Sequence, residues 1–147
     1  MKIEYLVLAD AAQVGNGKLF ILGGGWSIFR SGNYPAPAQL AVGLGFLISW
    51  NETGTQFPLS ITLADEAGVP IIPEITGQIQ ASKSGQLPEG ITQKVPLAVN
   101  LSVSIPHPGR YTITATAGAS RIETFFDAIY VGKSGEPIPH PAGERGN

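Results

Sequence analysis

At 147 residues with 43% apolar side chains, the chain is long enough to close one domain around a hydrophobic core and too apolar to stay disordered. A net charge of −2 with no run of Lys or Arg excludes the basic stripe of a nucleic-acid binder, and the lack of cysteine excludes disulfides, thiolate zinc sites and cysteine nucleophiles. Charged residues are only 14% of the chain, against roughly 25% in an average soluble domain, so Ser, Thr, Asn, Gln and Gly must cover a surface that is prone to association.

The first segment, "MKIEYLVLADAA", has Glu4 and Asp10 where a signal peptide needs an uninterrupted apolar run. It is expected to be a first strand, and the protein cytoplasmic. No apolar run approaches the roughly 20 residues of a membrane helix. Gly15, Asn16 and Gly17 can take positive φ and join "IEYLVLAD" to "KLFIL" as a hairpin. Gly23, Gly24 and Gly25 are then expected to bend or bulge the second strand and admit another backbone, with Trp26 covering the gap. The segment 31–37, "SGNYPAP", reads as a loop carrying Asn33 and Tyr34. From Leu40 to Trp50 the even positions are large and apolar, whereas the odd face carries Ala41, Gly43 and Gly45. So small a face implies that something packs closely on it.

Leu59, Ile61 and Leu63 mark the next strand, and "DEAG" at 65–68 suits a four-residue turn. Residues 80–91 form a polar loop. Leu97, Val99, Leu101, Val103 and Ile105 alternate with Ala98, Asn100, Ser102 and Ser104 as a half-buried strand should. "HPGR" turns the chain into "YTITATA", and "AGAS" turns it again. Residues 119–131 fit a helical face as well as a strand, but their β-branched and aromatic content and the preceding turn favour a strand. Residues 132–147 read as a Pro/Gly-rich tail after a single domain over 1–131. The predicted class is all-β, a two-sheet antiparallel β-sandwich, immunoglobulin-like or jelly-roll-like, with about 8–9 strands.

The glycines lack the context of a phosphate loop: "GNGK" runs into Leu19 rather than Ser or Thr, and into a strand rather than a helix. As an oxyanion hole they would need a nucleophile, and neither G-x-S-x-G nor S-x-x-K is present. His107 and His140 each lie between two prolines, where surface turn residues are expected rather than a catalytic base. Asp65 with Glu66, and Glu123 with Asp127, lack a spacing that fixes a metal. No catalytic residue, cofactor or metal is therefore expected. Trp26, Trp50 and Tyr34 could form an aromatic platform, although Trp50 continues an apolar strand face and reads as core or rim. If the strands alternate in direction, the loops 31–37, 65–68 and 106–109 share one end with the tail, opposite 10–17, 51–57, 81–91 and 118–119. The candidate recognition surface then comprises Asn33, Tyr34, Asp65, Glu66 and His107, with Trp26 nearby.

The opening "LADAA…GKL…LGGGW", followed by "LAVGL", "LADEAG", "VPLAVNL" and "PGRYTI", resembles a family of short bacterial proteins of unassigned function. The likeness covers most of residues 5–116 and departs from the family in the tail and in the hairpin 111–120. It implies an all-β fold and a cytoplasmic bacterial setting, and lends no catalytic residue, cofactor or substrate. The expected function is a non-catalytic module for protein interaction or self-assembly, with a protein partner or a homo-oligomer and neither nucleic acid nor membrane. The alternatives are a small-ligand or carbohydrate binder using the loop aromatics, and a metal-assisted hydrolase, which would need Asp, Glu or His converging in a pocket.

Overall fold

The computed structural model describes residues 1–132, so the tail beyond Gly132, with His140, lies outside the described residues. The alternating segments form strands β1 (Lys2–Gly15), β2 (Lys18–Gly24), β3 (Ile28–Ser31), β4 (Ala36–Ile48), β5 (Phe57–Ala64), β6 (Ile75–Ile79), β7 (Gln93–Ile105), β8 (Gly109–Ala117) and β9 (Ser120–Tyr130). One 3-10 turn, Trp50–Glu52, follows β4. The strands make two sheets, ordered β2-β1-β4-β7 and β3-β9-β8-β5-β6.

This is the expected sandwich, and its order β1-β4-β7 against β9-β8-β5 matches the A-B-E against G-F-C order of immunoglobulin-type domains. The Tyr111 hydroxyl donates to the His107 carbonyl four residues upstream at 2.5 Å, which is the tyrosine corner of that fold. One strand pair departs from the antiparallel expectation. β3 reaches the second sheet by a crossover from β2 rather than a hairpin, and runs parallel to β9 over Ile28–Ser31. Residues 120–130 form a strand because they complete a hairpin with β8, in which Phe126 faces Tyr111 and Ala128 faces Gly109.

The core lies between the sheets. Leu40, Val42, Leu44, Phe46 and Ile48 of β4 pack with Leu59, Ile61 and Leu63 of β5, Tyr111 and Ile113 of β8, and Phe126 of β9. All of these side chains are buried.

The opposite face of β4 is also buried, and the reason is the N-terminal hairpin. β1 pairs with β4 only from Lys2 to Ala9, then leaves it and pairs with β2 as far as Gly15. Asn16 and Gly17, at φ 52° and 71°, close the hairpin in the two-residue turn that matches strand twist. The resulting ribbon folds over the outer face of β4. Leu19 and Ile21 sit so close to Gly43 that a β-carbon there would lie 2.9 Å from Leu19 Cδ2 and 3.1 Å from Ile21 Cδ1. Tyr5 lies over Gly45 in the same way. The carboxamide of Asn100 on β7 then ties the ribbon down, accepting from Ala12 N–H at 3.2 Å and donating to Ala12 C=O at 2.8 Å. At the ribbon's base Gly23 and Gly25 take φ 64° and 84°, and Gly25 N–H donates to the Leu8 carbonyl. The three glycines thus let the chain leave the ribbon and cross to β3.

Candidate functional site

Three places could carry function: the loop end singled out from the sequence, the groove beside Trp26, and the exposed side of the ribbon.

At the loop end the structure brings Asp65, Glu66 and His107 together. His107 Nε2 stands 3.6 Å from Asp65 Oδ2. A concavity of about 670 Å³ opens beside them, lined by Asp65, Glu66, Gly109, Arg110, Thr112 and Asp127. Its carboxylates are already committed. Asp65 Oδ1 accepts from the N–H groups of Ala67 and Val69, both at 2.9 Å, and shapes its own turn. Glu66 Oε1 accepts from Arg110 N–H at 3.0 Å. Asp127 takes both arms of the Arg110 guanidinium, at 2.9 and 3.0 Å. That fork holds the Asp127 carboxyl below its usual range and raises Arg110. Among the described residues no group of three His, Asp or Glu could hold a metal ion.

Tyr34 adjoins this concavity through Ile129, which also lines it. Tyr34 donates its hydroxyl to the Ile129 carbonyl at 2.7 Å and meets Tyr130 edge-on at 5.1 Å. Burial raises its pKa, with Tyr111 and Tyr130 adding to the shift. Asn33 is exposed, its backbone bound to the Ser31 hydroxyl. Trp26 packs on Phe126 at 5.6 Å, and Phe126 stacks on Tyr111, which meets His107 at 5.9 Å. This aromatic row connects Trp26 to the loop end through the core. Trp50 follows β4 and Tyr34 precedes it, so the length of that strand separates them and the three aromatics form no common platform. The Trp50 ring instead carries Lys83 Nζ at 4.8 Å.

A groove of about 360 Å³ lies beside Trp26, lined by Asp10, Trp26, Ile28, Phe29, Arg30 and Gln39. Trp26 Nε1 is buried there without a hydrogen-bond partner among the described residues.

The ribbon's outer side is the least satisfied apolar surface. Phe20 and Leu22 are 58% and 72% exposed there, while Val14 and Ile21, on the face turned toward β4, are also partly open. Among the described residues β2 is an edge strand, with β1 on one side only. The other edges are managed differently. β7 turns Lys94, Asn100, Ser102 and Ser104 to solvent and contains Pro96, while β3 and β6 span only Ile28–Ser31 and Ile75–Ile79. Phe125 is exposed too, but the Arg110 guanidinium lies over its ring at 3.9 Å. The sequence reading passed over this surface, although the signal was present. Leu19 to Leu22 is apolar without a break, so both faces of the strand are apolar and only one can be covered by β4.

Among the described residues no helix is long and apolar enough to cross a membrane. The chain belongs to a family of unknown function, DUF6941, whose model matches residues 4–124, a span that includes all of β2 and the part of β1 paired with it. No curated protein matches the chain.

Proposed function

We propose that this domain is a non-catalytic interaction module that meets a protein partner through the outer side and free edge of its β1–β2 ribbon. The observation that supports this reading is the pair Phe20 and Leu22, large apolar side chains left open on a strand edge that is unpaired among the described residues. Such an edge is a template for another chain, and natural proteins blunt edges they do not use. The groups that could serve chemistry are consistent with this, since Asp65 is engaged by its own turn, and Glu66 and Asp127 by Arg110.

The test is a photo-crosslinking residue placed in cells at Phe20, at Leu22, or at exposed Arg121 on the far sheet. Discrete adducts from Phe20 and Leu22 with none from Arg121 support the proposal. Equal labelling from all three positions, or adducts from Arg121 alone, defeats it.

A second reading, a small-ligand site, draws on the groove beside Trp26, where Asp10 and Arg30 make no ion pair among the described residues. In a Trp50→Phe background, a saturable change of Trp26 fluorescence with a uronic acid, lost in Arg30→Ala, would support it. A flat titration would remove it.

A further inference from the structure

We infer that the partner of the β2 edge is a second copy of this chain, joined by antiparallel β2–β2 pairing across a two-fold axis at Ile21. This deepens the interaction reading above and rests on it.

Hydrogen-bond phase is the first argument. The hairpin closes on the pair Gly15 and Lys18, and bonded and non-bonded pairs alternate from there. Phe20 and Leu22 therefore spend their backbone groups on β1, while Leu19 and Ile21 point theirs outward to the free edge. Asn100 confirms the phase. It takes the N–H and C=O of Ala12, the residue opposite Ile21, which the same alternation turns away from β2. An axis at Ile21 makes Ile21 exchange both bonds with its own copy. It also overlaps β2 along its full length.

Side chains and charge fit the same register. Phe20 falls opposite Leu22 of the copy and on the same face, so each exposed side chain covers the other. The only charge in β2, Lys18, falls opposite Gly24, which keeps the two lysines at opposite ends of the pair. The chain's net charge of −2 adds little repulsion. Covering Phe20, Leu22, the open part of Ile21 and the strand edge on both copies removes at most on the order of 1,000 Å² from solvent, the size of a weak, transient interface. The pair is accordingly a reversible dimer that forms with rising concentration.

The chain has no cysteine, which allows the register to be read directly. Sedimentation of the purified full-length protein should show a monomer–dimer equilibrium, and Leu22→Lys should weaken it about tenfold or more. Under mild oxidation, mixed Phe20→Cys and Leu22→Cys chains should form disulfide heterodimers, since opposed residues lie about 4.5–5.5 Å apart. Neither variant alone should cross-link as fast. Both positions are exposed, so both variants keep the fold. Ile21→Cys should cross-link to itself. A monomer at every concentration, or cross-links equally fast in each single variant and in the mixture, overturns the inference. If the purified chain stays monomeric while Phe20 labels a different polypeptide in cells, the second-copy inference falls and the interaction reading stands.

Discussion

Replacing Gly45 by alanine tests how the outer face of β4 is built. Gly45 lies opposite Tyr5 in the β1–β4 pair, and a β-carbon there would stand 2.2 Å from Tyr5 Cε2, 2.5 Å from Cζ and 2.8 Å from the hydroxyl oxygen. Ordinary contact begins at 3.4 Å, so a rigid ring must withdraw by more than an ångström. Overpacking of this kind costs about 1–3 kcal/mol, offset by the ~0.4–1 kcal/mol that alanine gains over glycine through a stiffer unfolded chain. The net expectation is a loss of about 1–2 kcal/mol, a melting temperature lower by roughly 3–8 °C in a domain of this size. Gly43→Ala is the control. Its β-carbon meets the tips of Leu19 and Ile21 at 2.9 and 3.1 Å, flexible ends that can give, and its stability should stay within about 0.5 kcal/mol of the parent. Urea unfolding of both variants, repeated in a Tyr5→Ala background, gives the cycle. The reasoning fails if Gly45→Ala is as stable as the parent, or if its penalty survives removal of the Tyr5 ring.

Three further outcomes are expected. Asn100→Ala strands the buried Ala12 N–H and C=O, so stability should fall by about 1–3 kcal/mol and exchange of the Ala12 amide should quicken. Tyr111→Phe removes the corner hydrogen bond from a side chain that is 0% exposed and should cost about 1–2 kcal/mol in urea unfolding. Glu52 is held at about 2, below the ordinary 4.5, chiefly by its hydrogen bond to the Met1 ammonium and then by the Ser49 N–H and hydroxyl. A folded pKa below the unfolded one means that this carboxylate stabilises the fold above pH 4.5 and ceases to as the pH falls toward 2. Glu52→Gln should therefore flatten the melting temperature between those limits, while the parent declines more steeply.

Period-two alternation in β4, β5, β7 and β8 made the strands readable, because a sandwich buries one face of each and the pleat repeats every second residue. The small face at Gly43 and Gly45 was legible as a contact surface, and the ribbon is what occupies it. Its identity was not legible, because β1 reads as one continuous strand although it changes partner at Ala9. The parallel β3–β9 pair and short β6 were hidden for a related reason. Ile28–Ser31 and Ile75–Ile79 are too brief to show a period, and tertiary pairing defines them. At the loop end the sequence named Asp65, Glu66 and His107 but could not show that Arg110 engages Glu66 and Asp127, since Arg110 comes from β8 and meets both only in the folded sheet.

The claim that the β2 edge is where this protein meets its partner is tested most directly by residue-resolved hydrogen exchange. The chain would be compared when dilute and alone and when held in the assembly isolated from cells. The amides of Leu19 and Ile21, outward on the free edge, should slow by about tenfold or more on assembly, with the loops at 31–35 and 106–109 unchanged. Protection confined to those loops, with residues 18–24 exchanging as fast as in the isolated chain, would contradict it.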